Sequence, residues 1–361
     1  MKKQFTDKII ILLLASATSI LTCACELPFG ITIGEDDEKT YLEQGMDAVE
    51  AGDYQNAINL FNTSLDSGED LRLVYRGRGI AKMATADYVG ATEDFKTALA
   101  QSNGIIEDVD IDIAYYLAAA EYKTGNPEAA IGTYSAIINI RPEEDNACYL
   151  RGKTYLLQGN KEAAITDYES ALTLAPKDYD HYLRICTDLT EAGYESEGKA
   201  YINRAMESGN KLSDYQLGVF NYYLGNYTEA RNYLENARSS KNVGEDIIMY
   251  LGQTYEALGD PGYAISLYES FVAQNPSSSA PYVRIGMAKM GQRDYEGALD
   301  AFEAGIATGD GVYMQSLLYN RIVANEYLLN FDEAAKLMTE YLAAYPDDEK
   351  AKRENEFLST R

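Results

Sequence analysis

Two stretches of this chain are nearly the same sentence. Gly125 to Pro142 reads GNPEAAIGTYSAIINIRP, and Gly159 to Pro176, thirty-four residues later, reads GNKEAAITDYESALTLAP. A period in this range constrains the fold more than any other feature of a sequence. Within Asp145 to Pro176 the apolar residues recur at three and four, which predicts two amphipathic helices. Gly159 falls between them, where a left-handed C-cap is expected, and Asn160 follows as an N-cap candidate. Pro127 falls in a first helical turn, where it is tolerated, and Pro176 ends a second helix. One such helix pair cannot bury its apolar face alone, so the pairs must stack.

The same spacing runs through most of the chain. Gly152, Tyr155, Gly159, Ala164, Tyr168, Ala171 and Pro176 define the unit that starts at Asp145. Gly252, Tyr255, Gly259, Ala264, Tyr268 and Pro276 repeat it from Glu245. Further units start near Glu38, Arg72, Ile111, Tyr179, Lys211, Ser279 and Gln315. About nine units therefore fill residues 38–346. The small residue, Ala, aromatic and Pro positions resemble the tetratricopeptide repeat family, although the family's tryptophan is missing and residues such as Tyr41, Cys148, Tyr182 and Tyr282 stand in its place. The resemblance implies an all-α, right-handed α-solenoid whose concave groove is lined by the first helix of each unit. Residues 347–361 are charged and helix-prone, and are expected to form a capping helix. QSNGIIEDVD, Gln101 to Asp110, lengthens one joint by five residues and reads as a surface insertion.

If the family's register applies, the lining residues include Arg76, Tyr115, Tyr122, Tyr149, Lys153, Tyr215, Tyr222, Met249 and Met287. Tyrosine offers contact area at low entropic cost, and methionine adapts its shape. This points to binding of a protein or peptide segment. The alternative for the same tyrosines is packing between helices. The clamp of Lys, Asn and Arg with which some family members grip a C-terminal carboxylate is missing, since Leu42 and Met46 stand in matching positions.

The chain opens MKKQFTDKIIILLLASATSILTCAC. A basic start, a short apolar run and small residues before cysteine match a signal peptide over residues 1–24. The apolar run is too short to span a bilayer. Its end resembles a bacterial lipobox, with Cys25 the preferred lipidation position, Cys23 the second choice, and residues 25–37 a tether. The expectation is an exported protein, lipid-anchored on the outer face of the cytoplasmic membrane or elsewhere in a bacterial cell envelope.

The formal charge of the whole chain is −26. Removing the leader, with its net +2, leaves about −28, and so acidic a surface repels nucleic acid. Partners are expected to be apolar or basic proteins. Catalytic constellations do not assemble: His181 is the one histidine and reads as a solvated surface residue, while Cys148 and Cys186 read as packed core. The alternating acids of EDVDID lack the glycine of a calcium loop. No phosphate-loop, dinucleotide or serine-elbow motif occurs. The chain is thus expected to carry no cofactor, metal or enzymatic activity, and to act as an interaction scaffold. A receptor for a small ligand or a glycan fragment is the second reading.

Overall fold

In the computed structural model, residues 39–208, 211–239, 244–346 and 348–360 are described. The signal peptide, the tether, Cys23 and Cys25 lie outside them. Among the described residues every long element is an α-helix and no strand occurs. None of these helices is long and apolar enough to cross a membrane. The chain divides into two compact units, which among the described residues meet between Tyr201 and Ile202.

The first unit begins with the pair Tyr41–Glu50 and Tyr54–Ser67, followed by Leu71–Ala84 with Tyr88–Ala100 and Asp108–Lys123 with Pro127–Ile140. Asp145–Leu157 with Lys161–Leu174 makes the fourth pair, and Tyr179–Glu191 opens the fifth. The helix Glu195–Glu207 then runs across the boundary. Within the second unit the pairs are Asp214–Leu224 with Tyr227–Arg238, Glu245–Ala257 with Pro261–Val272, and Ala280–Gly291 with Tyr295–Ala307. Met314–Tyr327 with Phe331–Ala344 is the last pair, and Glu349–Leu358 packs on its end through buried Ala351 and Leu358. The fold is an all-α solenoid of helix-pair repeats.

Each pair is built by the letters that recur. Gly159 adopts φ 79°, which frees the chain to reverse, and the Asn160 side chain then accepts the Ala163 amide at 3.2 Å. Gly125 and Asn126 do the same in the preceding pair, with φ 77° and a bond to the Ala129 amide at 3.3 Å. Three turns put a side-chain-bearing residue in this left-handed position, namely Ala86, Arg293 and Leu329. A second recurring pair couples a first-helix glycine to an aromatic ring sixteen residues on. A Cβ on Gly79 would lie 2.6 Å from Phe95 Cε1, and Gly45 stands in the same relation to Phe61. Both rings are fully buried. The absent side chain lets the helices close over the ring, at the cost of helix propensity of about 1 kcal/mol per glycine.

The core is not wholly apolar. Arg151 grips the buried carboxylate of Asp167 with two bonds of 2.7 Å, and Arg78 grips Asp94 at 2.9 and 2.6 Å. Paired geometry of this kind offsets the desolvation of a carboxylate placed between helices.

At the lengthened joint, Ile105 and Ile106 are 67% and 48% exposed. Behind them lies a largely apolar cleft of about 570 Å³, with Leu99, Ala114, Leu117, Ile137 and Ile140 among its walls. The acids of EDVDID start a helix rather than a metal loop. The Glu107 amide donates to Asp110 Oδ2 at 2.8 Å, and Arg72 pairs with Glu107 at 2.6 Å and Asp110 at 3.4 Å.

Candidate functional site

The first-helix positions expected to line a groove behave differently in the two units. In the first unit they are largely used up by the next repeat. Arg76 is buried and its Nε donates to Asp112 at 2.6 Å. Tyr115, also buried, donates to Glu144 at 3.2 Å. Tyr149, buried too, donates to Asp188 at 2.7 Å. Lys153 pairs with the same Asp188 at 2.8 Å and keeps 14% of its side chain exposed. These four side chains reach forward to the following first helix. For Arg76, Tyr115 and Tyr149 the expectation of an open groove wall is therefore corrected: the position meets the neighbouring helix, and the hydroxyl or guanidinium finds a carboxylate there. Burial, with the adjacent carboxylate adding to it, pushes the Tyr115 and Tyr149 phenols well above the usual range. Tyr122 is half-buried, and burial also raises its phenol.

In the second unit the predicted positions remain partly open. Tyr215, Tyr222 and Met249 are half-buried, and Met287 is 49% exposed. Tyr222 meets Tyr223, Tyr227 and Tyr250 edge-on, at centroid distances of 5.5, 5.8 and 5.7 Å. Tyr215 meets Tyr250 at 6.4 Å. Edge-to-face contacts of this kind hold rings in fixed orientations. Gln253 is the polar centre of the cluster. Its Oε1 accepts from Tyr222 Oη at 3.3 Å and from Arg284 Nη2 at 2.7 Å, while its Nε2 donates to the Met249 carbonyl at 3.0 Å. Burial raises the Tyr222 phenol, and the Arg284 charge opposes that shift. The same two influences act on Glu256, which accepts a bond from Tyr268 at 3.1 Å.

The result is a half-open aromatic surface with Gln253 and the Arg284 guanidinium at its centre and the exposed thioether of Met287 one turn along the same helix as Arg284. Such a surface can hold a side chain or a short segment by ring contact and present a polar pair to its backbone. Tyr223, Tyr250, Gln253 and Arg284 complete it. The repeat register selects Gln253 as a lining position, but Tyr250 and Arg284 fall one residue beyond such positions. The high tyrosine content is the signal in the sequence that could have pointed to the ring cluster.

The structure places His181 differently from the sequence reading. It is fully buried, not solvated, and its Nε2 lies 3.2 Å from Asp145 Oδ2. The stacking of one pair on the next closes over this ring. Cys148 and Cys186 are both buried free thiols, and burial raises both above the usual thiol range.

Sequence models described as tetratricopeptide repeat match residues 146–178, and again residues 217–279 and 283–349. No curated protein matches the chain. Among solved structures, yeast Tom70 is similar at 14% identity and a TM-score of 0.53, over 89% of this chain and 80% of that one. A tetratricopeptide repeat protein from Parabacteroides merdae shows 16% identity and a TM-score of 0.46, over 70% of this chain and 99% of its own. The protein MamA from Desulfovibrio magneticus shows 17% identity and a TM-score of 0.39, over 47% and 96%. At 14% identity Tom70 speaks for the fold alone, and it is the matched repeats with their helix-pair geometry that carry the assignment: the chain is a tetratricopeptide repeat protein over the matched segments, an architecture that supports a protein–protein interaction scaffold.

Proposed function

We propose that this protein is a lipid-anchored scaffold outside the cytoplasmic membrane, holding a segment of a partner protein on the aromatic surface of its second unit. The observation that carries the binding reading is the convergence of Tyr222 and Arg284 on Gln253 beside the exposed Met287. Arg76, Tyr115 and Tyr149 of the first unit are buried against the next repeat, whereas here the rings and the cation are only half-buried. An apolar or aromatic side chain of the partner would lie against Tyr215, Tyr222 and Met287. A carbonyl or carboxylate of that segment would take the Arg284 donors that Gln253 leaves over. The anchoring reading rests on the basic, apolar and small-residue order of residues 1–24 before Cys25. No catalytic role is proposed.

One experiment addresses both halves. A photo-crosslinking residue at Met287, introduced in cells, is expected to trap one protein partner. Tyr222→Ala should abolish that product, while a crosslinker at exposed Val89 should not form it. Cys25→Ser in the same cells should shift the chain out of the membrane fraction. Unchanged crosslinking in Tyr222→Ala defeats the binding surface, and membrane retention of Cys25→Ser defeats the anchor.

A further inference from the structure

Resting on the second unit as the binding surface, we infer that the segment held there carries an acidic side chain, Asp or Glu, beside apolar or aromatic residues, and that Arg284 receives its carboxylate. Three arginines of the first unit show how this chain places a guanidinium between helices. Arg76, Arg78 and Arg151 each hold a carboxylate within 2.7 Å. Arg284 is half-buried, yet among the described residues it pairs with no carboxylate. Its one hydrogen bond goes to a neutral amide, Gln253 Oε1, at 2.7 Å. A guanidinium carries five N–H donors, so most of its capacity is left over. Arg184 also lacks a carboxylate, but its Nε and Nη1 are enclosed and the Tyr149 ring lies beneath it at 5.1 Å.

Glu256 is the acid placed to have neutralised Arg284, and it does not. Its Oε1 accepts from Tyr268 at 3.1 Å. Burial raises its carboxyl, and the Tyr268 bond and the Arg284 charge only oppose that rise. A carboxylate with Arg284 as its close counter-ion would be held below the usual range instead. A half-buried cation without an anion is costly, and a carboxylate from the partner offsets that cost better than a neutral carbonyl does.

The guanidinium is positioned before any ligand arrives. Gln253 Nε2 donates to the Met249 carbonyl at 3.0 Å, which turns Oε1 towards Tyr222 and Arg284. Three successive first helices meet at this amide. Apolar surface flanks the cation on both sides. Tyr222 reaches Gln253 from two repeats back. Tyr313, 37% exposed, precedes the helix Met314–Tyr327. Burial and then Glu245 raise its phenol, and the Arg284 charge opposes them. A carboxylate on Arg284 therefore has rings to either side, which suits a side chain within the segment over a chain end. Asp246 and Asp310 also act on Tyr313, so a singly charged carboxylate fits these surroundings better than a phosphate does. The acids farther off are screened beyond about 8 Å at physiological salt.

The full chain, immobilised, is used to select short peptides from a random display library, and each selected peptide is synthesised with a free and with an amidated C-terminus. Fluorescence anisotropy is expected to give equal binding of the two forms, and the peptides to share Asp or Glu next to an apolar or aromatic residue. Changing that acid to its amide should weaken binding about tenfold or more, as befits a lost charge-assisted bond. Arg284→Gln should weaken the parent peptide equally and leave the amide peptide unaffected. Arg284→Lys keeps the charge without the fork and should recover part of the loss, which decides the matter even where Arg284→Gln fails to fold. Arg293→Gln removes an exposed charge from the same unit and should change nothing. Peptides without acids, or an acid whose removal costs as much in Arg284→Gln as in wild type, overturn the acidic side chain and leave the binding surface standing. Binding that needs the free C-terminus assigns the carboxylate to a chain end and overturns it too. Selected peptides that bind Tyr222→Ala as well as wild type, or a library that yields no binder, overturn the surface and the acidic partner together.

Discussion

Leu329, Arg293 and Ala86 hold the left-handed turn that glycine holds in the other pairs. A side chain in this conformation costs about 1–2 kcal/mol, of which a glycine would return part to the unfolded chain as entropy. Leu329→Gly should therefore stabilise the second unit by about 0.5–1 kcal/mol, read as a rise in the denaturant midpoint at constant slope. Leu329 is 72% exposed, so little packing is lost in the exchange. The glycine turns themselves are legible in the sequence, because Gly-Asn followed by Glu-Ala-Ala states the turn, the cap and the helix in order. His181 was not legible in the same way. Its neighbours KDYD look like a surface turn, and only the stacking of one repeat on the next reveals that the ring points inward.

Among elements, the C-terminal helix Glu349–Leu358 is the one whose docking depends most plainly on pH. Glu326, on the first helix of the last pair, has its carboxyl pushed up to about 7 by burial and by the neighbouring Glu354 carboxylate. The folded state thus holds this proton more tightly than the unfolded chain, where a glutamate titrates near 4.3. Its contribution to stability is complete below that value and is lost as pH rises through about 7. Between pH 5 and 8 the Tm of the wild type should fall more than that of Glu326→Gln, and the difference between the two melting series isolates this residue from the rest of an acidic surface. Matching pH profiles for the two proteins would show that the pair is not coupled. The helix pairs themselves could be read from periodicity, since each needs only its own residues. The forward contacts could not: Asp112, Glu144 and Asp188 are three acids among 57 and carry no local mark of the partner across the joint.

For the molecule as a whole, stability is a sum of pair and neighbour terms, and damage should spread by one neighbour only. Asp188 tests this within the first unit. It accepts Tyr149 at 2.7 Å and Tyr168 at 3.3 Å and pairs with Lys153 at 2.8 Å. Asp188→Ala strands these groups, and hydrogen bonds involving a charged partner are worth about 1.5–3 kcal/mol. Amide exchange should accelerate in Asp145–Leu157, Lys161–Leu174 and Tyr179–Glu191, with Tyr41–Glu50 unchanged. Equal acceleration in Tyr41–Glu50 would mean that the unit opens as a single block.

The forward reach of Arg76, Tyr115 and Tyr149 also has a meaning in time. A ribosome releases the chain from its N-terminus, so each of these side chains emerges before the carboxylate that will receive it. The fourth pair can coil and turn on its own letters, yet Tyr149 and Lys153 wait until Asp188 has left the tunnel some 39 and 35 residues later. The second, third and fourth pairs are then each a finished shape with an edge that the next pair fastens. The pair Met314–Tyr327 with Phe331–Ala344 also has a fastening within a few residues: Tyr341 donates to Asp348 at 2.6 Å, seven positions on, just before the helix Glu349–Leu358 begins. A joint such as that at Asp188 thus stays open for the length of a repeat, whereas the one at Asp348 closes within seven residues.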